Sequence, residues 1–356
     1  MSHEISHNKK TGRDEMAWVG ETPWHGLGTN LPENASFEEW IAAALPYTVR
    51  RSKLMYYADR AGKDLRVDDE SVALIRSDTG DRLGIVSSDY EVVQPYEMIE
   101  FFRDLSGEMG FKLETAGALF GGKRYWALAK IDEVKIAGWD KLVGYLMLSS
   151  SADGSRATEG RHCATRVVCN NTMSMALAET DKKVYRTNHR QSFKPDVMKA
   201  RLGLAADNFS KYVETVNALT KIKVSDAAAD AFILKLLRPS KNVIDAVNAQ
   251  SPDDSFDSLL KRPVGQATVV GSMLDDEANV RRPRGADNIL ALFLGAGRGS
   301  ELTGSAGTAW GLVNAVTEYV DHWSTSKSDD HRFDRAMFGT GDQLKTDAFS
   351  TALQLA

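Results

Sequence analysis

The sequence predicts an α+β fold: an antiparallel sheet with β-hairpins and packed helices, followed by a mainly helical C-terminal half. Three observations carry this expectation. Between Thr48 and Leu148, apolar residues alternate with polar ones, and short turns containing Gly or Asp separate the runs. A helix-start signal at Ser36 precedes that pattern and one at Pro95 interrupts it. Beyond Pro195 the apolar period lengthens to three and four residues. Strands joined by hairpins favour antiparallel pairing, and without regular strand–helix alternation a doubly wound nucleotide fold is disfavoured. A chain of 356 residues fits about two domains. The expected organisation is a flexible arm over 1–15, an α+β core domain over 16–190 that binds nucleic acid, and a mainly helical domain over 191–356 for oligomerisation or partner binding.

Each element has its own signal. Two Trp, one Pro and three Gly between Trp18 and Gly28 indicate a turn-rich segment held by aromatic burial. Ser36 and Glu39 form a capping box ahead of a short helix whose apolar face holds Phe37, Trp40, Ile41, Ala44 and Leu45. Val72, Leu74 and Ile85 lie on strands around an Asp78–Asp81 turn. Pro95 starts a second helix that Gly107 and Gly110 stop. Leu113–Leu119 and Tyr125–Ile131 form a hairpin across Gly121 and Gly122, residues that tolerate positive φ. Strands then run over Leu142–Leu148 and Arg156–Val168, joined through Asp153 and Gly154. Asn170 and Asn171 are N-cap candidates for a helix through Leu177. Residues 181–195 read as a basic connector without apolar period. Helices follow from Met198 to Leu219, Ser225 to Leu237 and Thr308 to Trp323, with a looser, Pro- and Gly-containing stretch over 251–300.

Composition narrows the function classes. A 42% hydrophobic and 26% charged balance is ordinary for a globular protein. The pI near 5.9 argues against a generally basic coat, so any anion site must be local. Two cysteines, Cys163 and Cys169, suit a reducing compartment and fall short of a four-ligand zinc set. The longest apolar runs are too short to span a bilayer, and the N-terminal residues lack a secretory apolar stretch, so a cytoplasmic location is expected. No Gly-x4-Gly-Lys-Ser/Thr loop and no His-Glu-x-x-His helix occurs. No cofactor or metal is expected. His162 and Cys163 are neighbours on a predicted strand, so they point to opposite faces and do not form a nucleophile pair.

Charge segregation supplies the positive signal. Ten Lys or Arg and four Asp or Glu lie between Arg156 and Arg201, a balance of +6 in a chain of −5. The remainder is therefore −11. A local positive field favours a polyanion. Tyr185, His189 and Phe193 sit among these cations, and rings between cations suit a single nucleic-acid strand, whose bases stack while its phosphates meet charge. The candidate contacts are Arg156, Arg161, Arg166, Lys182, Lys183, Arg186, His189 and Arg190. Arg50, Arg51 and Lys53, beside Tyr56 and Tyr57, form a second wall, and Lys123 and Arg124 lie at a hairpin tip.

Four sequence words carry a family resemblance: Pro23–Gly28 (PWHGLG), Tyr90–Pro95 (YEVVQP), Arg166–Thr172 (RVVCNNT) and Thr308–His322 (TAWGLVNAVTEYVDH). In this order they resemble phage- and plasmid-encoded proteins catalogued as domain of unknown function 932. That resemblance runs over nearly the full length and implies a mobile-element setting, hence a host-cell cytoplasm. The element order from Pro95 to Leu177 also resembles the β-β-β-α core of single-strand annealing proteins, the ATP-independent recombination factors of phages. This second likeness implies single-stranded DNA as partner, a homo-oligomeric ring or filament, and a phage exonuclease or single-strand-binding protein nearby.

The resulting expectation is a prophage-type protein that binds and anneals single strands. Annealing makes no covalent bond, so it needs no catalytic constellation. One alternative is a metal-dependent enzyme acting on nucleic acid or nucleotide through Asp153, Glu159 and His162. Another is a phage or host interaction and assembly protein that engages its partner through the helical half.

Overall fold

The computed structural model describes residues 5–20, 26–138, 140–166, 171–174, 184–202, 205–237, 283–327 and 329–355. Two sheets and a set of helices share the fold. The larger sheet has eight strands: β3 (Met16–Trp18), β4 (Thr29–Asn30), β8 (Lys112–Leu119), β9 (Arg124–Ile136), β10 (Asp140–Ser151), β11 (Thr158–Arg166), β12 (Asn171–Ser174) and β13 (Val184–Thr187). Its order is β12-β11-β10-β9-β8-β3-β4, with β13 pairing β11 beside β12. All pairs are antiparallel except β3–β4. The smaller sheet is a meander of β5 (Val49–Tyr57), β6 (Leu65–Arg76) and β7 (Arg82–Ser87).

The early helices follow their caps. Helix α1 (Phe37–Ala44) starts at the Ser36 capping box: the Glu39 amide donates to Ser36 Oγ at 3.2 Å, and the Ser36 amide donates to Glu39 Oε2 at 2.7 Å. Helix α2 (Pro95–Met109) ends at Gly110, whose φ of 70° fits the left-handed cap. Its N-cap Gln94 also pins β5, accepting from the Val49 amide at 2.8 Å and donating to its carbonyl at 3.0 Å. Apolar faces of α1 and α2 meet Ala116, Ala127, Ala129, Leu146 and Leu148 of the large sheet and Leu74, Leu83 and Val86 of the small one.

The helical half packs on the same sheet rather than forming a separate body. Its described helices are α3 (Pro195–Leu202), α4 (Ala205–Leu219), α5 (Asp226–Leu236), α6 (Ala286–Ala291), α7 (Ala309–Glu318), α8 (Asp329–Phe338) and α9 (Thr340–Ala352). Phe209, Tyr212, Val216 and Leu219 of α4 share a core with Ile136, Leu142 and Ala164 of the sheet and with Trp310, Val313 and Phe349. On the opposite sheet face, Met337 packs with Val143, Tyr145, Met147 and Cys163.

Three local expectations need correction. Residues 5–15 are not a flexible arm. They form β1 (His7–Asn8) and β2 (Arg13–Asp14), bury Ser6, Asn8 and Glu15, and bond to the β8–β9 turn through Gly122 N to Ser6 Oγ at 2.8 Å. Asn171 begins a strand rather than capping a helix, because its backbone pairs with Arg166 of β11. Within the expected connector, Val184–Thr187 is a strand that pairs with Thr158–Arg161.

Gly144 shows how closely α4 approaches the sheet. A Cβ at this position would lie 2.6 Å from the Phe209 ring. Gly144→Ala is therefore expected to overpack the contact and destabilise the fold by about 1–3 kcal/mol. A lower urea midpoint with an unchanged m-value would report that effect.

Candidate nucleic-acid interface

The predicted cations divide into a fixed group and a free group. Strand alternation puts Glu159, Arg161 and Cys163 on the face of β11 that meets α8 and α9. Arg161 is 1% exposed, and its guanidinium donates to Glu159 Oε2 at 2.8 Å, Asp342 Oδ2 at 2.8 Å and the Met337 carbonyl at 2.5 Å. Burial pulls its pKa down, but the charges of Asp342 and Glu159 outweigh burial and raise it. Arg156 donates to Asp334 Oδ2 at 3.1 Å and to the Phe338 carbonyl at 2.9 Å. Arg124 reaches the other oxygen of Asp334 at 2.5 Å, an ionic contact outside hydrogen-bond geometry. Both the Arg156 and Arg161 guanidinium groups lie over the Phe338 ring, at 5.2 and 5.0 Å from its centroid. Arg186 donates to the remaining oxygen of Glu159 at 2.7 Å while its own side chain stays 62% exposed.

These contacts change the expected interface. Arg124, Arg156 and Arg161 are structural ties between the sheet and α8–α9, so they are withdrawn as phosphate contacts. Arg186 reaches solvent but is neutralised by Glu159. His189 is also withdrawn. It is 8% exposed, stacks on Tyr90 at 4.3 Å, and places its ring nitrogens 2.8 and 3.0 Å from the carbonyls of Glu91 and Arg156. Phe193 packs against Phe101 instead of presenting an open face. Arg166 closes β11, and Lys182 and Lys183 lie outside the described residues. Lys123 is half-buried beside the β8–β9 turn.

The free group lies elsewhere. Arg50, Arg51 and Lys53 are exposed along β5, an edge strand of the small sheet. No salt bridge joins them to a described carboxylate; Arg50 donates to the Ser77 carbonyl at 3.1 Å and Arg51 to the Ser88 carbonyl. The 87–91 loop brings exposed Arg190 toward this edge. The Asp89 carboxylate has a lowered pKa, first through the Ser87 hydroxyl and then also through the charges of Arg190 and Arg51. Two segments that sequence reasoning kept apart therefore meet around Asp89. Tyr56 and Tyr57, 49% and 60% exposed, continue the same strand outward.

The residues of the enzymatic alternative do not gather. Glu159 and His162 point to opposite faces of β11, and Glu159 is already bound by two arginines. Asp153 accepts from the Ser155 amide in its own turn. Among the described residues no cluster of three His, Cys, Asp or Glu could hold a metal ion. His162 is 7% exposed and neither ring nitrogen has a hydrogen-bond partner among the described residues. Burial lowers its pKa to about 4 and raises that of Cys163 to about 12.

A family model described as domain of unknown function (DUF932) matches residues 82–337. No curated protein and no solved structure matches the chain. Among the described residues no helix is long and apolar enough to cross a membrane.

Two outcomes follow from the fixed groups. Asp334→Ala leaves the partly buried Arg124 and Arg156 without their shared carboxylate and is expected to cost about 3–5 kcal/mol, read as a lower denaturation midpoint. His162 should make folding acid-sensitive. Between its ordinary value of 6.5 and about 4, the unfolded chain binds a proton that the folded chain does not. Stability is thus intact above that window and falls as pH drops through it. His162→Leu should remove about 3 kcal/mol of this acid-induced loss in urea titrations at successive pH values.

Proposed function

The chain belongs to the DUF932 family, and from the geometry of its β5 edge we propose that it binds single-stranded DNA without strong sequence preference and promotes strand annealing as a homo-oligomer. The observation that carries this reading is the row of exposed cations Arg50, Arg51 and Lys53, followed by the exposed rings of Tyr56 and Tyr57 on one edge strand. Alternation sends Arg51 and Lys53 to one face and Arg50 and Tyr56 to the other, so a strand lying along the edge reaches both sets. Phosphates meet the guanidinium and ammonium groups, and a base stacks on Tyr56. Arg190 extends the positive row past Asp89.

An open edge also suits annealing. A strand held by its backbone and by one ring leaves its other base edges facing solvent, where a complementary strand can pair. Backbone contacts read no sequence, which fits pairing of arbitrary complements.

Fluorescence anisotropy of a labelled oligonucleotide at several salt concentrations tests the proposal. Three phosphate contacts predict a log–log salt slope of about −2 for a single strand. Charge reversal of Arg50, Arg51 and Lys53 together should abolish binding and the slope, whereas Arg186→Ala should change neither. Tyr56→Ala should weaken binding by about 1–3 kcal/mol. Absence of binding by the native chain at low salt would end the proposal.

A further inference from the structure

The outer end of the β5–β6 hairpin leaves the rest of the fold. Beyond Lys53 the β5 strand pairs with β6 from Leu54 opposite Asp68 to Tyr57 opposite Leu65, and β7 pairs no farther along β6 than Ser71. Residues directly opposite share a face, as do residues two apart. Met55, Tyr57, Leu65 and Val67 therefore form one cluster, and they are 51%, 60%, 49% and 41% exposed. Three of the four are aliphatic and none is charged. The reverse face carries Tyr56 opposite Arg66. A two-stranded ribbon is marginal in water unless its apolar face is covered.

The same chain contains a surface of matching character. A cleft of about 310 Å³ lies where the turn after α6 meets the start of α5. Phe293, Leu294 and Ala306 supply its apolar lining, and its two charged lining residues, Asp226 and Glu301, are both acidic. Leu294 is 54% exposed. The β5–β6 turn carries Arg60 and Lys63 together with Asp59 and Asp64. Asp59 accepts from the Lys63 and Asp64 amides and Asp64 pairs with Arg66, so exposed Arg60 and Lys63 are the cations that can face that rim.

We propose that the hairpin of one copy seats in this cleft of a second copy. Tyr57 and Leu65 pack against Leu294 and Phe293, and Arg60 and Lys63 face Asp226 and Glu301. Hairpin and cleft are different surfaces, so the contact is heterologous and repeats head to tail as a closed ring or an open filament. The inference rests on the proposed homo-oligomer and assigns its interface.

Light scattering of the full chain after size exclusion tests it. The native chain should assemble in a concentration-dependent way. The double variant Tyr57→Ser/Leu65→Ser and the single variant Leu294→Asp should each be monomeric, with native far-UV circular dichroism because the altered side chains are exposed. Mixed in equal amounts, the two variants should form a dimer and nothing larger, since one intact hairpin and one intact cleft remain between them. A monomeric native chain, a Leu294→Asp variant that assembles normally, or a mixture that stays monomeric would each overturn the interface; the second would point to hairpin–hairpin pairing. Anisotropy of a labelled strand on the native chain and on Leu294→Asp, which leaves the β5 edge unaltered, separates the two readings. Binding without assembly removes the interface and keeps strand binding, and assembly without binding does the reverse.

Discussion

The fold depends on carboxylates from its last two helices closing over guanidinium groups on the large sheet. Asp334 meets Arg124 and Arg156, and Asp342 meets Arg161, which also holds Glu159. Phe338 lies under two of these cations and covers them from water. Water exclusion makes each pairing matter, because an arginine buried without its carboxylate is far costlier than the intact pair is stabilising. The network also links residues nearly two hundred positions apart, so it specifies where the C-terminal helices dock. Part of the basic stretch thereby finds its complement within the molecule: Arg156 and Arg161 meet acidic residues of the last two helices.

Such internal pairing changes what a basic stretch means for ligand binding. A local excess of positive charge attracts a polyanion when its cations face solvent. Arg156 and Arg161 face helices instead, and their field is cancelled within a few ångströms. Among the described candidates, the cations left to act on solvent are fewer: Arg190 and the three on β5, a strand that carries no carboxylate. Binding by this edge would show a shallow salt dependence, in contrast to the steep one expected from the whole basic stretch.

Legibility in the sequence followed the range of the deciding interaction. The Ser36 capping box, the Asp78–Asp81 turn and the Gly121–Gly122 turn are set by neighbours within a few residues, and each was readable. Asn171 has the chemistry of an N-cap, but pairing with β11 overrides that local preference. The N-terminal residues carry no periodicity, yet Glu15 is buried against Arg76, a partner 61 residues away. Arg51 and Arg190 were individually visible as cations. Their meeting around Asp89 was not, since it depends on how β5 and the 188–194 segment flank one loop. No pattern in the sequence distinguishes an arginine that will find a distant aspartate from one that will not.

A second buried network anchors the inner end of the exposed hairpin. Arg76, at the inner end of β6, donates to Glu15 Oε2 at 2.9 Å and Asp78 Oδ2 at 2.9 Å, and lies over the Tyr47 ring at 3.8 Å. It also donates to the Gly121 carbonyl of the β8–β9 turn at 3.1 Å, while the Tyr47 hydroxyl donates to the Gly122 carbonyl at 2.9 Å. These bonds join the small sheet to the N-terminal segment and to the large sheet at one point. With that end of β6 clamped, the inner register of the β5–β6 pair, from Val49 opposite Arg76 to Lys53 opposite Val72, is set; a bulge then shifts the pairing to Leu54 opposite Asp68. An unclamped ribbon would lose conformational entropy on meeting any partner, whether a nucleic-acid strand or a second copy. Burying an ion network at its base reduces that loss, which is what either proposed use of this ribbon requires.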